Sequence, residues 1–267
     1  MSVDYQSKTS VLRNISLDIR HGEILGLVGQ SGSGKSTLAL TILNLLRWKD
    51  AKVRGEVMFE GQDILRMGEQ KLRSLRGRNM SIVLQSPLSS LNPALRIGTQ
   101  LQEAWRAHVK GAAEDCSAAI EAALHSVCLP REKEFLRRLP SQLSVGQAQR
   151  IIIAMAILHR PSLLISDEAT SALDTITQAE VLNLFAQLNR ELQMAILYIS
   201  HDLLSVATLC HRVAILHDGQ IVEIGKPEQI FRSPQHPYTQ KLVAALPNNP
   251  YRGTQSASDL ESVEVLA

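Results

Sequence analysis

The chain predicts an α/β layered fold built on a mostly parallel sheet. Short apolar strand runs alternate with segments of helical period, first near the amino terminus and again after residue 160. A glycine-rich loop stands between one such strand run and one such helix. Strand runs vanish between about residues 88 and 160, where Ala, Leu, Gln, Glu and Arg dominate. That break predicts a helical insert in the layered core.

Taken in order, Ile15–Ile19 and Ile24–Val28 read as strands split by the turn signal His21-Gly22. Gly29 to Thr37 forms the glycine-rich loop. Leu38, Ile42, Leu43, Leu45 and Leu46 then recur at helical spacing, so a helix starts at about Lys35. Gly55–Ile64 reads as a strand and turn, and Ser81–Gln85 as a further strand. Amphipathic helices are expected over 97–109, 114–127 and 147–159, the insert spanning about 88–145. Alternation resumes with a strand at Leu163–Asp167, a helix over 176–192, a strand at Ala195–Ser200, a helix over 203–209 and a strand at Val213–Leu216. The end from about 248 to 267 is polar, then weakly acidic, and reads as a flexible tail.

Composition narrows the class. Hydrophobic residues make up 45% and charged residues 20% of the 267, which excludes global disorder. Aromatics are only 4%, so the core is expected to be aliphatic. A net charge of +2 lacks the basic stripe of a nucleic-acid binder. The basic run Lys71, Arg73, Arg76 and Arg78 has no stacking aromatics and reads as a solvated face. Cys116, Cys128 and Cys210 show no CxxC spacing, which argues against a disulfide framework or a structural zinc and for a reducing compartment. The apolar stretch Ile151–Leu158 is well short of the ~20 residues a spanning helix needs. MSVDYQSKTS has no apolar signal core. The chain is therefore not expected to cross a membrane itself, though docking on one stays open.

Gly29-Gln30-Ser31-Gly32-Ser33-Gly34-Lys35-Ser36-Thr37 fits the P-loop pattern in full. Its glycines let successive N–H groups curl into an anion nest. The helix that follows adds its positive dipole end. Lys35 would reach the β- and γ-phosphates, and the Ser36 hydroxyl would ligate Mg²⁺. At the end of an apolar run, Asp167 would hold the Mg²⁺ and Glu168 would polarise an attacking water as general base. The bland alternatives are a glycine turn before a helix and two surface carboxylates ending a strand.

Further motifs narrow the family. Ser141-Gln142-Leu143-Ser144-Val145-Gly146-Gln147-Ala148-Gln149-Arg150 resembles the signature loop of ABC-type ATPases, usually LSGGQ followed by xQR. Ser171-Ala172-Leu173-Asp174 resembles their D-loop, Gln85 the Q-loop glutamine and His201 the switch histidine. In order and spacing over about residues 11–232, the chain resembles the nucleotide-binding subunit of an ABC transporter. Gln85 through Pro93, and the tail Ser233 through Pro247, resemble the oligopeptide, dipeptide and nickel importer group.

The resemblance implies a P-loop NTPase (RecA-like) core with an antiparallel β subdomain and the helical insert. It implies one ATPase domain over 1–247, with a C-terminal extension over about 233–247. ATP and Mg²⁺ are the implied cofactors. Glu168, His201, Lys35 and Gln85 would be catalytic, and Ser36, Gln85 and Asp167 would hold the metal. Residues 29–37 would bind ATP, with Tyr5 stacking on adenine. Ser144, Val145, Gly146, Gln147 and Asp174 would meet the nucleotide of a partner. The implied partners are a second ATPase subunit, identical or homologous, two membrane permeases and an extracytoplasmic solute-binding protein, with no nucleic acid. The location would be peripheral, on the cytoplasmic face of the inner membrane.

Structural readings stand beside several of these residues. His201 could be a core histidine, Gln85 a strand-end polar residue, Tyr5 a tail tyrosine, and Ser144 a helix cap. Val145 replaces the first glycine of the signature pair, and Ala169 replaces a proline common after the catalytic Glu. The front also lacks one strand expected before Tyr5. A soluble ABC ATPase without permeases, or a weakly hydrolysing regulatory subunit, remains the competing reading.

Overall fold

The computed structural model describes residues 1–5 and 10–246; the tail expected over 248–267 lies outside them. The amino-terminal half contains Ser2–Tyr5 (β1), Ile24–Val28 (β2), Lys35–Ile42 (α1), Ala51–Arg54 (β3), Met58–Phe59 (β4) and Gln62–Asp63 (β5). Glu69–Leu75 (α2) and Met80–Val83 (β6) follow. A helical stretch comes next: Pro87–Ser90 (α3), Ile97–Arg106 (α4), Ala113–Ser126 (α5), Lys133–Leu136 (α6) and Val145–Ile157 (α7). Strands and helices then alternate through Leu163–Asp167 (β7), Thr175–Leu192 (α8), Ala195–Ser200 (β8), Leu203–Leu209 (α9), Arg212–His217 (β9) and Gln220–Gly225 (β10). Pro227–Arg232 (α10) and Pro237–Ala244 (α11) end the described chain.

Six strands form one sheet in the order β10-β9-β2-β8-β7-β6. All neighbours are parallel except β10, which returns antiparallel along β9. Register follows from the two buried faces. Side chains alternate across a strand, so Ile24 and Val28 of β2 join one hydrophobic cluster while Leu25 and Leu27 join the other. In β8, Ile196 and Tyr198 face the first, and Leu197 and Ile199 the second. Strands covered on both faces read as continuous apolar runs, which is why β2, β7 and β8 were visible in the sequence.

The first cluster runs without a break from the sheet through α7 into α4 and α5, taking in Ile97, Leu101, Trp105, Ile120 and Phe135. The helical stretch thus shares one core with the sheet. Its ends are set by local chemistry. Ser144 caps α7 reciprocally with Gln147, and Asp174 caps α8 through the Ile176 and Thr177 amides. The second cluster lies over α1 and the two small antiparallel ladders, β1-β3 and β4-β5. Among the described residues, no helix is long and apolar enough to cross a membrane.

Three expectations need correction. Ile15–Ile19 has no regular secondary structure and joins no strand ladder. The Met1 amino group donates to the Ile15 carbonyl, and Arg212 pairs with Asp18. The run borders a cavity of about 770 Å³ that Met58, Phe59 and the α1 residues Leu38 and Ile42 also line. With a cavity beside it, alternating apolarity produced burial without pairing. The strand expected at Ser81–Gln85 is Met80–Val83, and Gln85 lies in the exposed loop beyond it. The front, expected to lack a strand before Tyr5, carries β1 up to that residue, paired with β3; β1, β3 and the further strand β10 are each half-buried.

Candidate nucleotide site

Parallel pairing lines up the strand ends that carry the site. Val28, Ser200 and Ile215 are in register, as are Asp167 with Ile199 and Val83 with Ser166. The phosphate loop, Asp167-Glu168 and His201 therefore leave the sheet along one carboxyl edge, where open α/β sheets bind ligands.

The loop's shape follows from its glycines. Gly34 precedes α1 in a left-handed conformation, φ +110°. A Cβ on Gly29 would lie 2.3 Å from the Leu216 carbonyl oxygen of β9, so the first glycine is needed for close approach. No side chain caps α1, which leaves its first-turn N–H groups to an anionic ligand. Lys35 is buried and folds back over the loop. Its Nζ donates to the Gly29 carbonyl at 2.8 Å and the Gln30 carbonyl at 3.2 Å.

Glu168 ties this loop to His201. Its Oε1 lies 3.6 Å from Lys35 Nζ and its Oε2 3.5 Å from His201 Nδ1. Regular strand alternation would point Asp167 and Glu168 to opposite faces. Glu168 breaks it by taking φ +51°, rare for a side-chain-bearing residue. Its amide donates to the Ile199 carbonyl, and its carbonyl accepts from the Ser171 amide and hydroxyl. These bonds hold the strained turn, so both carboxylates serve the same edge.

Asp167 is the group whose ionisation is most disturbed here. Burial raises its pKa, opposed by the Ser36 hydroxyl hydrogen bond and by Lys35, while the nearby Glu168 charge pushes it further up. Its Oδ1 is buried without a hydrogen-bond partner among the described residues. An orphaned carboxylate oxygen beside a serine hydroxyl is a pair of hard donors, which suits Mg²⁺.

The remaining expected residues lie apart from this cluster. At the exposed start of α7, the Ser144 hydroxyl accepts from the Gln147 amide and the Gln147 side-chain carbonyl accepts from the Ser144 amide. Val145 is 41% exposed, whereas a Cβ on Gly146 would lie 2.8 Å from Thr177 Cγ2. The loop therefore accommodates a side chain at 145, whereas one at 146 requires Thr177 to shift. Asp174 caps α8 and also accepts from the Thr177 hydroxyl at 2.7 Å. Tyr5 ends β1, half-buried, with its Cα opposite Ala51. Two residues earlier Val3 pairs with Leu12, and a Cβ on Gly34 would lie 2.6 Å from Leu12 Cδ2. The front strand thus runs close to the phosphate loop.

Two features of the site were not singled out by sequence. Tyr198, fully buried in β8, shares its hydroxyl with Thr170 at 3.0 Å and Ser205 at 3.2 Å, tying the Glu168 turn to the helix after His201. Its only sequence signal is a hydroxyl in an apolar strand. Tyr238 of α11 accepts a hydrogen bond from the Gln30 amide at 3.2 Å. The tail carries a resemblance to the importer group in its sequence, but no spacing rule connects it with residue 30.

Together these features define a P-loop ATPase of the ABC type. The family description "ABC transporter" matches residues 12–171, and "Oligopeptide/dipeptide transporter, C-terminal region" matches residues 222–263. Over 248 residues, 91% of this chain, it is 40% identical to the glutathione import ATP-binding proteins GsiA of Shigella dysenteriae and Escherichia coli K12. The chain spans only 40% of the length of those relatives. Among solved structures, it resembles the dimeric cassette MJ0796 bound to ADP and Pi (29% identity, TM-score 0.69, covering 82% of this chain and 91% of that one). It also resembles cbiO1 of Clostridium perfringens, part of the transporter complex cbiONQ (25% identity, TM-score 0.75, covering 91% and 92%). The chain belongs to the ABC transporter family, and its C-terminal region matches that of oligopeptide/dipeptide transporters.

Proposed function

We propose that this chain hydrolyses Mg-ATP as one half of a dimer that powers uptake of a small peptide-like solute. Two membrane permeases would form the path, an extracytoplasmic binding protein would deliver the solute, and the chain would sit on the cytoplasmic face of the membrane. One observation carries this reading. Lys35, Glu168 and His201 form a connected set on the sheet edge, while the capped start of α7 stands exposed and apart. A working site of this kind needs a second chain to bring its own Ser144–Gln147 to the γ-phosphate.

In this mechanism residues 29–37 cradle the phosphates with backbone N–H groups, and Tyr5 stacks on the base. Lys35 leaves the Gly29 and Gln30 carbonyls to meet the phosphate oxygens. Glu168, released from Lys35, accepts a proton from the attacking water. His201, held by Glu168, turns toward the γ-phosphate. Ser36 and Asp167 would hold Mg²⁺, with Gln85 reaching in from its loop; the ion supplies charge neutralisation on the phosphates. Ser144, Val145, Gly146, Gln147 and Asp174 serve the neighbour's nucleotide, where the α7 start offers anion-binding amides. Closure is then a ligand-driven population shift. The glutathione named for the relatives points to small peptides as the solute class.

The test is Glu168→Gln. Phosphate release is expected to fall at least 100-fold while Mg-ATP still binds, and the variant with Mg-ATP is expected to elute as a dimer. Undiminished steady turnover would overturn the role of Glu168. Failure of the chain to co-purify with any membrane permease would overturn the transport reading.

A further inference from the structure

The C-terminal extension does more than cover the core. Tyr238 is buried, at 9% exposure. Its ring stacks on His217 of β9, with centroids 3.8 Å apart and planes at 14°. Its hydroxyl accepts from the Gln30 amide, the second residue of the phosphate loop. That amide belongs to the Gly29–Gln30 peptide, whose carbonyl accepts from Lys35. The peptide is trans, so its N–H and C=O point in opposite directions. Lys35 and Tyr238 therefore grip one peptide plane from opposite sides.

The helix carrying Tyr238 is itself seated by specific bonds. The His236 ring caps α11 by accepting from the Tyr238 amide at 3.2 Å. The Glu223 carboxylate on β10 accepts from the Gln235 and His236 amides at 2.9 and 3.0 Å. A chain of contacts thus runs from β10 through the start of α11 to the phosphate loop. A packing role alone would be met by phenylalanine; only the hydroxyl reaches Gln30.

We propose that Tyr238 is a positioning residue for the nucleotide site: it fixes the first peptide of the phosphate loop and couples the seating of α11 to ATP binding. The inference rests on the ATP reading above. When Lys35 moves from the Gly29 and Gln30 carbonyls to the phosphates, the peptide loses one of its two anchors. Tyr238 is the anchor that stays, so the loop keeps its shape through the exchange. Coupling of two binding events is reciprocal, so ATP in the loop also tightens α11 on the body.

The experiment compares the parent chain with Tyr238→Phe by calorimetric titration of Mg-ATP and by hydrogen exchange of residues 237–244. Loss of one hydrogen bond predicts a Kd for Mg-ATP about three- to tenfold weaker in the variant. Exchange over α11 is expected to slow on Mg-ATP binding in the parent, and that response is expected to vanish in the variant. A merely structural tyrosine would alter exchange equally with and without nucleotide and leave the Kd alone. A variant Kd within twofold of the parent overturns the proposal, as does α11 exchange indifferent to saturating Mg-ATP. A parent that binds no Mg-ATP overturns the ATP reading first, an outcome distinct from a parent that binds and a variant that matches it. Should the phenylalanine variant lose its fold, the nucleotide response of α11 in the parent decides by itself.

Discussion

At the scale of single residues, the phosphate edge stores cost that a ligand would relieve. Asp167 is driven up chiefly by burial and further by Glu168. Its folded pKa is therefore above the unfolded value, which means the native state holds that proton more tightly. The sign is destabilising for the ionised form: no penalty below the ordinary 3.8, a growing one as pH rises from there to the raised value, and the full penalty at neutral pH. Replacing Asp167 with Asn removes the charge while keeping the shape. Without nucleotide, the variant is expected to melt above the parent at pH 7. The gain is expected to disappear near pH 3. Mg²⁺-dependent ATP hydrolysis is expected to be lost. Thermal melts across pH, alongside phosphate release, check both halves, and an unchanged or lower Tm at pH 7 would contradict the buried-charge account.

At the scale of elements, helix starts carry two duties, and one substitution can separate them. Ser144 accepts from the Gln147 amide at 3.1 Å, and Gln147 returns the favour to the Ser144 amide. As a cap alone, Ser144→Ala costs about 0.5–2 kcal/mol of stability. If the same start also meets a neighbour's γ-phosphate, turnover is expected to fall more than tenfold while affinity of the isolated chain for ATP stays within twofold. Denaturant melts, ATP titration and phosphate release distinguish the two duties; parallel small losses in all three would leave only the cap. The same scale explains what could be read from sequence. β2, β7 and β8 were legible because both faces are covered and their apolar runs are continuous. The P-loop was legible because backbone chemistry fixes its residue types at fixed spacing, and Asp167-Glu168 because they end a continuous apolar run. Ile15–Ile19 misled because burial beside a cavity leaves the same pattern as pairing. β1 and β3 were missed because each offers only half-buried alternation over four residues. The grip of Tyr238 on Gln30 joins positions 208 residues apart, a contact that no local pattern encodes.

At the scale of the whole molecule, the proposed dimer makes the chain a carrier of two halves of different sites. The cradle, Lys35, Glu168 and His201 lie along one edge, while Ser144–Gln147 presents an exposed helix start in which the Ser144 and Gln147 side chains each accept from the other's backbone amide. A single chain would then bind ATP yet lack the groups that enclose the γ-phosphate. Hydrolysis per chain is therefore expected to depend on concentration, rising with total protein in the dilute range and levelling off once dimers dominate. Glu168→Gln, which keeps the ATP, is expected to shift from monomer to dimer on adding Mg-ATP and to return when the nucleotide is removed. Light scattering gives the mass in each state. Adding Ser144→Ala to that background tests where the glue lies: if the α7 start closes over the neighbour's phosphate, the ATP-induced dimer is expected to weaken at least tenfold. Specific activity independent of concentration, with a monomeric Glu168→Gln variant at saturating Mg-ATP, would mean that one chain completes its own site or that only a homologous partner can. Titrating in such a homologue separates those two, because only the second restores turnover.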